Sequence, residues 1–255
     1  MAYLTCMALY QKISESYEEL FPSSQEKLEF VMGFLPEINS SRVIDIGCAT
    51  GQMLFQLRKA GISSGVGIDL DEHMIREGER RLRRENISGI EFHVGDMRHF
   101  SEIPGLNNAD LISCMGNTLA YLPDSQGPDS DSLDRFLEQC KSLLAAEGIL
   151  VIQILNYQNP RIAPGFSFPE ISANGIQLLR TYEQSEGNQY RFISRMKNLQ
   201  TGETSHDIHY HTAFLSKDIA AAAVRQGFGE TEITGSYAGK APQRDDFFHL
   251  VICRR

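Results

Sequence analysis

Between residues 42 and 155, short apolar segments alternate with amphipathic ones, and this alternation constrains the fold more than any other feature of the sequence. The apolar segments have the length of buried strands and lie at 42–47, 65–70, 90–94, 109–114 and 148–155. Helical spacing fills the intervals, most clearly at 130–146, where the apolar residues form one stripe. Strands joined through helices pair in parallel, so the sequence predicts a doubly wound α/β sheet with helices on both faces.

The pattern changes after residue 156. Residues 157–169 contain three prolines and read as a loop, and three strands then follow without an intervening helix. They are predicted at 176–183, 190–199 and 204–214 and should pair as antiparallel hairpins. We therefore expect an inserted antiparallel β lid at 157–214.

The remainder, 1–156 and 215–255, is predicted to be the core domain. Its N-terminal helices at 8–20 and 25–35 form a cap, and a helix at 217–226 precedes the last two strands. Those strands, at 230–236 and 247–253, are joined by a loop too short for a crossover helix, so they should be antiparallel. With them the core sheet has seven strands.

Composition excludes several classes of protein. The 255 residues carry 24 Lys and Arg against 33 Asp and Glu, a net charge of −9, which is poorly suited to nucleic-acid backbones. No run approaches the roughly 20 apolar residues of a membrane helix, and no basic start marks a signal peptide. The five cysteines are scattered without metal-ligand spacing, so we expect reduced thiols, no metal site and a cytoplasmic location.

A glycine-rich turn follows the first strand. Asp45 stands two residues before Gly47, and Ala49 and Gly51 complete a small-residue turn that opens a helix. Small residues let the backbone bend sharply and let a ligand approach closely. Asp69 ends the second strand, where open parallel sheets bind ligands, and its carboxylate can accept hydrogen bonds from both hydroxyls of a ribose. Together these residues predict a nucleoside cofactor, whereas helix capping is the alternative role of Asp45.

Two common nucleotide motifs are absent from this turn. A dinucleotide site requires G-x-G-x-x-G, but Ala49 and Gln52 occupy its second and third glycine positions. The P-loop requires Gly-Lys-Ser/Thr, which the turn lacks. The sequence of the turn therefore disfavours both a nicotinamide oxidoreductase and a P-loop nucleoside triphosphatase.

The segment from Asp45 to Gly51 resembles the first motif of the class I S-adenosylmethionine-dependent methyltransferases, Asp/Glu-x-Gly-x-Gly-x-Gly, with Ala49 in place of one glycine. The segment Phe92–Met97 after the third strand and the segment Asp110–Leu122 around the fourth are similar to further motifs of the family. The latter resembles the small-molecule branch that includes glycine and sarcosine N-methyltransferases. The resemblance runs from about Tyr10 to the C-terminus.

This resemblance implies a Rossmann-like methyltransferase fold, S-adenosylmethionine as the cofactor and S-adenosylhomocysteine as its product. It implies that Asp96 and the backbone of Met97 hold the adenine, and that Tyr10 or Tyr17 on the N-terminal helix touches the sulfonium. For both tyrosines, core packing is the alternative role. The remaining cofactor contacts are expected from Leu70, which follows Asp69, and from Cys114, for which a place in the core is the alternative.

The acceptor side is less constrained by sequence. Asn117, just past the fourth strand, should face the reactive end of the cofactor or else cap the loop. His209 and His211 share one face of the third lid strand and are candidate bases, with a solvated strand face as the alternative. Arg180 and Arg195 on the neighbouring lid strands are candidates for a carboxylate-bearing substrate or else surface residues.

The sequence thus predicts methyl transfer to a nitrogen or oxygen of a small-molecule acceptor by a monomer or homodimer. The segment after the fourth strand lacks the Asn/Asp-Pro-Pro-Tyr/Phe motif of nucleic-acid amino methyltransferases, in keeping with the acidic charge. The alternative is a non-catalytic S-adenosylmethionine-binding or interaction protein of the same fold.

Overall fold

The computed structural model describes residues 8–122, 130–162, 165–184 and 186–255. It contains a seven-stranded sheet and a separate four-stranded antiparallel sheet, as predicted for the class of fold. The large sheet has the order β10-β11-β5-β4-β1-β2-β3. Its strands are β1 (Arg42–Ile46), β2 (Ser64–Asp69), β3 (Ile90–Val94), β4 (Ala109–Cys114), β5 (Leu144–Leu155), β10 (Glu230–Thr234) and β11 (Phe248–Arg254).

Five neighbouring strands of this sheet, β5-β4-β1-β2-β3, are parallel. Helix α4 (Gln52–Ala60) joins β1 to β2, α5 (Glu72–Glu85) joins β2 to β3, and α6 (Ser130–Leu143) precedes β5, whereas a 3-10 turn at Phe100–Glu102 lies between β3 and β4. Helix α7 (Ser216–Arg225) precedes β10. β11 runs antiparallel to both β5 and β10, which confirms the prediction for the last two strands. One hydrophobic core lies on each face of the sheet, the first around Phe100 and Phe136, the second around Phe55 and Leu54.

The small sheet lies between β5 and α7 in the chain and has the order β6-β7-β8-β9. Its strands are β6 (Ile171–Ala173), β7 (Ile176–Gln184), β8 (Gln189–Asn198) and β9 (Thr204–Thr212). The prediction of three lid strands was wrong by one, because the short β6 pairs with β7 across a turn at Asn174 and Gly175. Only three residues take part in that pairing, too few for an alternation to show.

The N-terminal cap differs from the predicted pair of continuous helices. The first is broken into α1 (Ala8–Ile13), a 3-10 turn at Ser14–Ser16 and α2 (Tyr17–Leu20), and the second, α3 (Gln25–Met32), ends before Gly33. The break falls on a Ser-Glu-Ser sequence, where short polar side chains are poor helix formers. The cap is wedged between the small sheet and α5, with Leu9 and Ile13 packed against Leu178 and Met196.

α6 also ends earlier than predicted. Leu144 pairs with Ala109 on β4, so β5 begins where the sequence suggested a last helical turn. The register then shifts before Leu111 pairs with Ile149. This irregularity requires Gly148, since a Cβ there would lie 2.7 Å from the Ala109 carbonyl oxygen.

Candidate active site

The turn between β1 and α4 has an unusual backbone. Gly47, Ala49 and Gly51 have φ angles of 71°, 49° and 81°, all in the left-handed region. At Gly47 the absence of a side chain is a packing requirement too, because a Cβ would lie 2.3 Å from Cγ2 of Thr118. Ala49 is the exception to glycine in this conformation, and its amide is held in place by Asp69.

Asp69 links the end of β2 to this turn. One carboxylate oxygen accepts a hydrogen bond from the Ala49 amide at 2.8 Å, and the other accepts one from the Asp71 amide at 2.9 Å. Desolvation raises the pKa of Asp69 to about 6, although the hydrogen bonds from Asp71 and Ala49 oppose the shift. The carboxylate is therefore mostly ionised at pH 7 and takes up a proton as the pH falls through about 6.

Asp45 lies deeper, at the end of β1. It is buried, and its carboxylate accepts a hydrogen bond from the Ser113 hydroxyl at 2.8 Å. Burial raises the pKa of Asp45 to about 6, against the opposing effects of Lys27 and of Ser113. Asp45 is thus part of the internal support of the turn, and its carboxylate does not cap a helix.

A cavity of about 240 Å³ lies over the carboxyl ends of β1, β2 and β3. Asp69 and Asp96 lie on its wall together with the backbone of the glycine turn. Desolvation alone would raise the pKa of Asp96, but the hydrogen bonds from Arg98 hold it below its usual range. The predicted cofactor residues on this wall are Tyr17, Gly47, Ala49, Asp69, Leu70, Asp96 and Met97.

These residues fit S-adenosylmethionine. A close-approach turn at Gly47, an anionic acceptor for ribose hydroxyls at Asp69 and a second carboxylate at Asp96 stand along one wall, in the order in which the strands present them. Leu70 and Met97, which follow the two carboxylates in sequence, add apolar surface to the same wall. When bound, the cofactor would be held by these groups.

The structure does not bring every predicted cofactor residue to this wall. Gly51 and Cys114 are not among the described residues that line this cavity or the larger one beside it. A Cβ at Gly51 would lie 2.2 Å from the Phe92 ring, so its glycine is required by internal packing. Cys114 is fully buried in the core, and the side chain of Tyr10 lies outside the described residues.

The second, larger cavity has a volume of about 1020 Å³ and adjoins the first. It lies between the small sheet, the cap, the carboxyl ends of β4 and β5, and the loop that joins β10 to β11. The two cavities share a wall formed by Tyr17, Gly47, Ala49, Gly116, Thr118 and Tyr121. A molecule in the larger cavity would therefore meet a cofactor in the smaller one at this wall.

A cluster of uncharged polar side chains lies beside the shared wall. Asn117 Oδ1 accepts a hydrogen bond from the Leu155 amide at 3.0 Å, which orients the Asn117 side chain. Its Nδ2 then donates to the hydroxyls of Tyr157 and Tyr182, at 3.1 and 3.3 Å. The Tyr182 hydroxyl lies 2.6 Å from Nδ1 of His211. Asn117 is therefore the centre of a network and makes no side-chain capping bond.

His211 stands at the end of this network. Its Nε2 is buried and has no hydrogen-bond partner within the described part of the chain, and the residue lines the larger cavity. Burial, and to a lesser extent His209, holds the pKa of His211 well below its usual value, so the ring is neutral at pH 7. An unsatisfied buried nitrogen is costly, and a ligand would remove that cost only if the side chains that cover Nε2 shift on binding.

The structure separates the two candidate bases. His211 lines the larger cavity, whereas His209 lines the smaller one. Both are buried and both pack against the Tyr121 ring, so the alternative of a solvated strand face is wrong. The face is buried because the 3-10 turn Thr118–Tyr121 and the cap cover it.

Two tyrosines of the network, Tyr157 and Tyr182, were missed by sequence reasoning. The sequence places Tyr157 in a loop and makes Tyr182 one apolar residue of a lid strand. The alternation of Arg180 and Tyr182 on the face of β7 that carries buried Leu178 was the one available signal. Arg180 lines the larger cavity, whereas Arg195 is exposed and bonds Thr181, so the two candidate arginines are on different faces.

Neither a metal site nor a membrane span is found in the described ranges. They contain no group of three or more His, Cys, Asp or Glu side chains arranged to hold a metal ion. Within the same ranges no helix has both the length and the hydropathy that crossing a membrane requires.

Comparison with known proteins agrees with this geometry. A family model described as a methyltransferase domain matches residues 39–208, more than half of the chain. Glycine N-methyltransferase from Rattus norvegicus is 28% identical over 133 residues, which cover 50% of this chain and 45% of the relative. The chain therefore matches about half the length of that curated relative.

Solved structures share the fold over almost the whole chain. An S-adenosylmethionine-dependent methyltransferase from Clostridium acetobutylicum superimposes with a TM-score of 0.78 at 16% identity, covering 96% of this chain and 98% of its own. The amino pentose methyltransferase CalS10 from Micromonospora echinaspora, solved with bound S-adenosylmethionine, gives 0.69 at 18% identity, covering 95% and 96%. The family match, the fold and the cavity at the glycine turn lead to the same conclusion: the chain belongs to the class I S-adenosylmethionine-dependent methyltransferase family.

Proposed function

We propose that this protein transfers a methyl group from S-adenosylmethionine to a nitrogen atom of a small molecule bound beneath the small sheet, which acts as the acceptor lid. The observation that carries the proposal is the uncharged cluster around the unpartnered Nε2 of His211, beside the wall shared by the two cavities. Two similarities support it, since one relative is a glycine N-methyltransferase and one structural neighbour an amino pentose methyltransferase.

Nitrogen is favoured over oxygen by the chemistry of the cluster. Asn117, Tyr157, Tyr182 and His211 bring no carboxylate to the site, so a bound ammonium would lose its hydration without gaining a counter-ion. The amine therefore binds in its neutral form, with the lone pair that the reaction needs. A hydroxyl acceptor would require a base near pH 7, and a ring whose pKa lies well below its usual value is a weak one.

In this proposal His211 and Asn117 position the acceptor. When Nδ1 donates to Tyr182, Nε2 of His211 is free to accept a hydrogen bond from the amine N–H once the acceptor displaces the side chains that bury it. The network through Tyr182 and Asn117 allows that tautomer. Bound S-adenosylmethionine supplies a methyl group on positively charged sulfur, and its leaving group is the neutral thioether S-adenosylhomocysteine. Fixed orientation of the two reactants can contribute about 7–11 kcal/mol, so positioning is the main task of these residues.

The test is a turnover assay of the purified protein with S-adenosylmethionine and a panel of amines, amino acids and phenols, analysed by mass spectrometry of both products. We expect S-adenosylhomocysteine and a methylated amine in equal amounts. Methylated phenols without methylated amines would contradict the nitrogen assignment. Cofactor binding without any methylated product would favour a non-catalytic binding protein.

A matched pair of variants tests the role of His211. His211→Gln should lower turnover and leave the affinity for S-adenosylhomocysteine unchanged, because the side chain lines only the larger cavity. His206→Gln, an exposed substitution on the same strand, should change neither quantity. Equal effects of the two substitutions on turnover would contradict the proposed role of His211 in acceptor binding.

A further inference from the structure

The larger cavity has room for an acceptor much larger than a simple amine. We propose that the acceptor is an amine that also carries an aromatic ring and an acidic group, with the ring against the lid phenylalanines and the acid at Arg180. This inference rests on the proposed function, since it concerns the acceptor of the same reaction. Its evidence is the lining, the charge and the spacing of the larger cavity.

The lining is strongly aromatic. Phe166, Phe168 and Phe192 come from the lid and its approach, Phe21 from the cap and Phe247 from the loop before β11. Phe168 packs with Phe166 at 4.9 Å and with Phe192 at 5.9 Å between ring centroids, so the rings form one continuous surface. At about 1020 Å³ the cavity is at the upper end of the range for drug-sized ligands, and glycine would leave most of it wet.

Arg180 provides the group that selects an acid. Its guanidinium carbon lies 5.0 Å from the ring centroid of Phe21 and 5.0 Å from that of Phe168, so aromatic rings flank it on two sides. Such contacts fix the guanidinium plane, and the N–H donors point outward in that plane. A guanidinium has five N–H donors and can hold a carboxylate in addition to other partners.

The charge of the lining favours an anion at this end. Arg161 adds a second cation at the rim of the cavity, and Lys27 a third on the cap side. Against them stand Asp45, which is buried beneath the glycine turn, and the exposed Asp245. No acidic residue among those that line the cavity comes from the described part of the small sheet, which supplies Arg180.

Spacing sets the distance between acid and amine. Arg180 and Tyr182 are two residues apart on the same face of β7, which separates their Cα atoms by roughly 6.6 Å. Tyr182 contacts His211, where the amine is proposed to bind. An acid at Arg180 and a nitrogen at His211 therefore bind at neighbouring positions along the lid, which favours an acceptor longer than glycine, in which one carbon atom separates the two groups.

The test is calorimetric titration of the protein saturated with S-adenosylhomocysteine, with four probes. They are 3-(aminomethyl)benzoate, which has ring and acid, benzylamine, which lacks the acid, 5-aminopentanoate, which lacks the ring, and glycine. We expect 3-(aminomethyl)benzoate to bind at least about tenfold more tightly than each of the other three, since each lacks one favourable contact. Equal or tighter binding of glycine or of benzylamine would overturn the inference.

Variants assign the preference to Arg180. Arg180→Met should abolish the advantage of 3-(aminomethyl)benzoate over benzylamine and leave benzylamine affinity unchanged, whereas Arg195→Met on the outer face should preserve the advantage. An advantage that survives Arg180→Met, in protein that still binds S-adenosylhomocysteine, would also overturn the inference. Should Arg180→Met not fold, the probe series on the unmodified protein decides. Failure of the proposed function would show differently, as tight probe binding without a methylated product.

Discussion

The two cavities that meet at Gly116 are built in opposite ways. The cofactor cavity is made by backbone turns and by carboxylates at strand ends, within a stretch that runs mainly from Ile46 to Leu122. The larger cavity, which we propose as the acceptor cavity, is made by side chains from the cap, the core, the small sheet and the loop before β11, from Tyr17 to Phe248. A backbone-built site is fixed by the fold itself, whereas a side-chain-built site can change its ligand without a change of fold.

This difference predicts that the two cavities, which form the two halves of the site, can lose their functions separately. Substitutions in the glycine turn should remove cofactor affinity, and substitutions in the acceptor network should remove turnover alone. Measuring the affinity for S-adenosylhomocysteine and the turnover on the same variants tests the separation, and any variant that loses both equally would weaken it.

The largest effect is expected at the turn, for Gly47→Ala. The new methyl group would meet Thr118 at 2.3 Å, and φ of 71° is unfavourable for alanine. If the free turn relaxes to relieve strain of about 1–3 kcal/mol, binding must restore it, and cofactor affinity falls by about 5- to 150-fold. Calorimetric titration with S-adenosylhomocysteine measures it. Gly105→Ala is the matched control, since φ there is 84° but no atom lies near the added methyl group, and it should bind normally.

The next largest effect is expected in the acceptor network, for Asn117→Gly. Glycine tolerates the φ of 66° at this position, so the substitution removes the amide without adding backbone strain. Leu155 loses its acceptor and the two tyrosine hydroxyls lose their donor. Leaving buried groups unsatisfied costs about 1–3 kcal/mol. If the network is held in place only at that cost when the acceptor reacts, kcat should fall by about 5- to 150-fold.

The cofactor affinity of this variant should stay within a factor of about two of the original. Asn86→Gly, at another left-handed asparagine, at the end of α5, is the control and should leave kcat unchanged. A parallel loss of affinity in Asn117→Gly would mean that the residue supports the cofactor cavity as well.

The same contrast explains how far the sequence could be interpreted. Asp45, Gly47 and Asp69 were found because strand ends and tight turns leave local patterns, and parallel strands bring those ends to one edge. The alternation of strands and helices could be read for the same reason. Gly51 shows the limit of a local pattern, since its glycine is required by the Phe92 ring, on a strand some forty residues further along the chain.

The acceptor network could not be predicted because its members are far apart in sequence. Tyr182 meets Asn117 across 65 residues and His211 across 29. No periodicity records such contacts, which depend on how the small sheet sits on the core. The two histidines were placed correctly on one face, but the burial of that face depends on the cap and on Thr118–Tyr121, which the pattern of β9 does not encode.

A smaller effect is expected from pH, through Asp69. Its pKa is raised to about 6, and ribose hydroxyls donate to the ionised form, so binding requires loss of a proton below that pH. Affinity for S-adenosylhomocysteine should therefore rise as pH increases from 5 to about 6 and level off above 7, by up to about tenfold per pH unit. Asp69→Asn should bind weakly with no such dependence.

Asp45 provides the control for this profile. Its pKa is also raised to about 6, but its side chain is not among the described residues of the cofactor cavity. Asp45→Asn should therefore keep the pH dependence of binding. If Asp45→Asn lost the pH dependence of binding and Asp69→Asn kept it, the titrating group would be Asp45 and not Asp69.

The smallest effect is expected at Glu18, where the cap contacts α5 and the glycine turn. Its carboxylate accepts hydrogen bonds from Arg81 at 2.6 and 2.8 Å and from the Thr50 hydroxyl at 3.2 Å, which joins the cap to α5 and to the glycine turn. Glu18→Gln keeps the shape but removes the charge from a partly exposed pair, which is worth about 0.2–1 kcal/mol. Cofactor affinity should fall by at most about fivefold, with faster release of the cofactor in stopped-flow measurements.

Glu15→Gln is the control, since it breaks the more exposed pair with Arg80 and should change neither the affinity nor the release rate. A large loss of turnover in Glu18→Gln at saturating cofactor would show that the cap positions the acceptor too, and the two halves would then be coupled through α2.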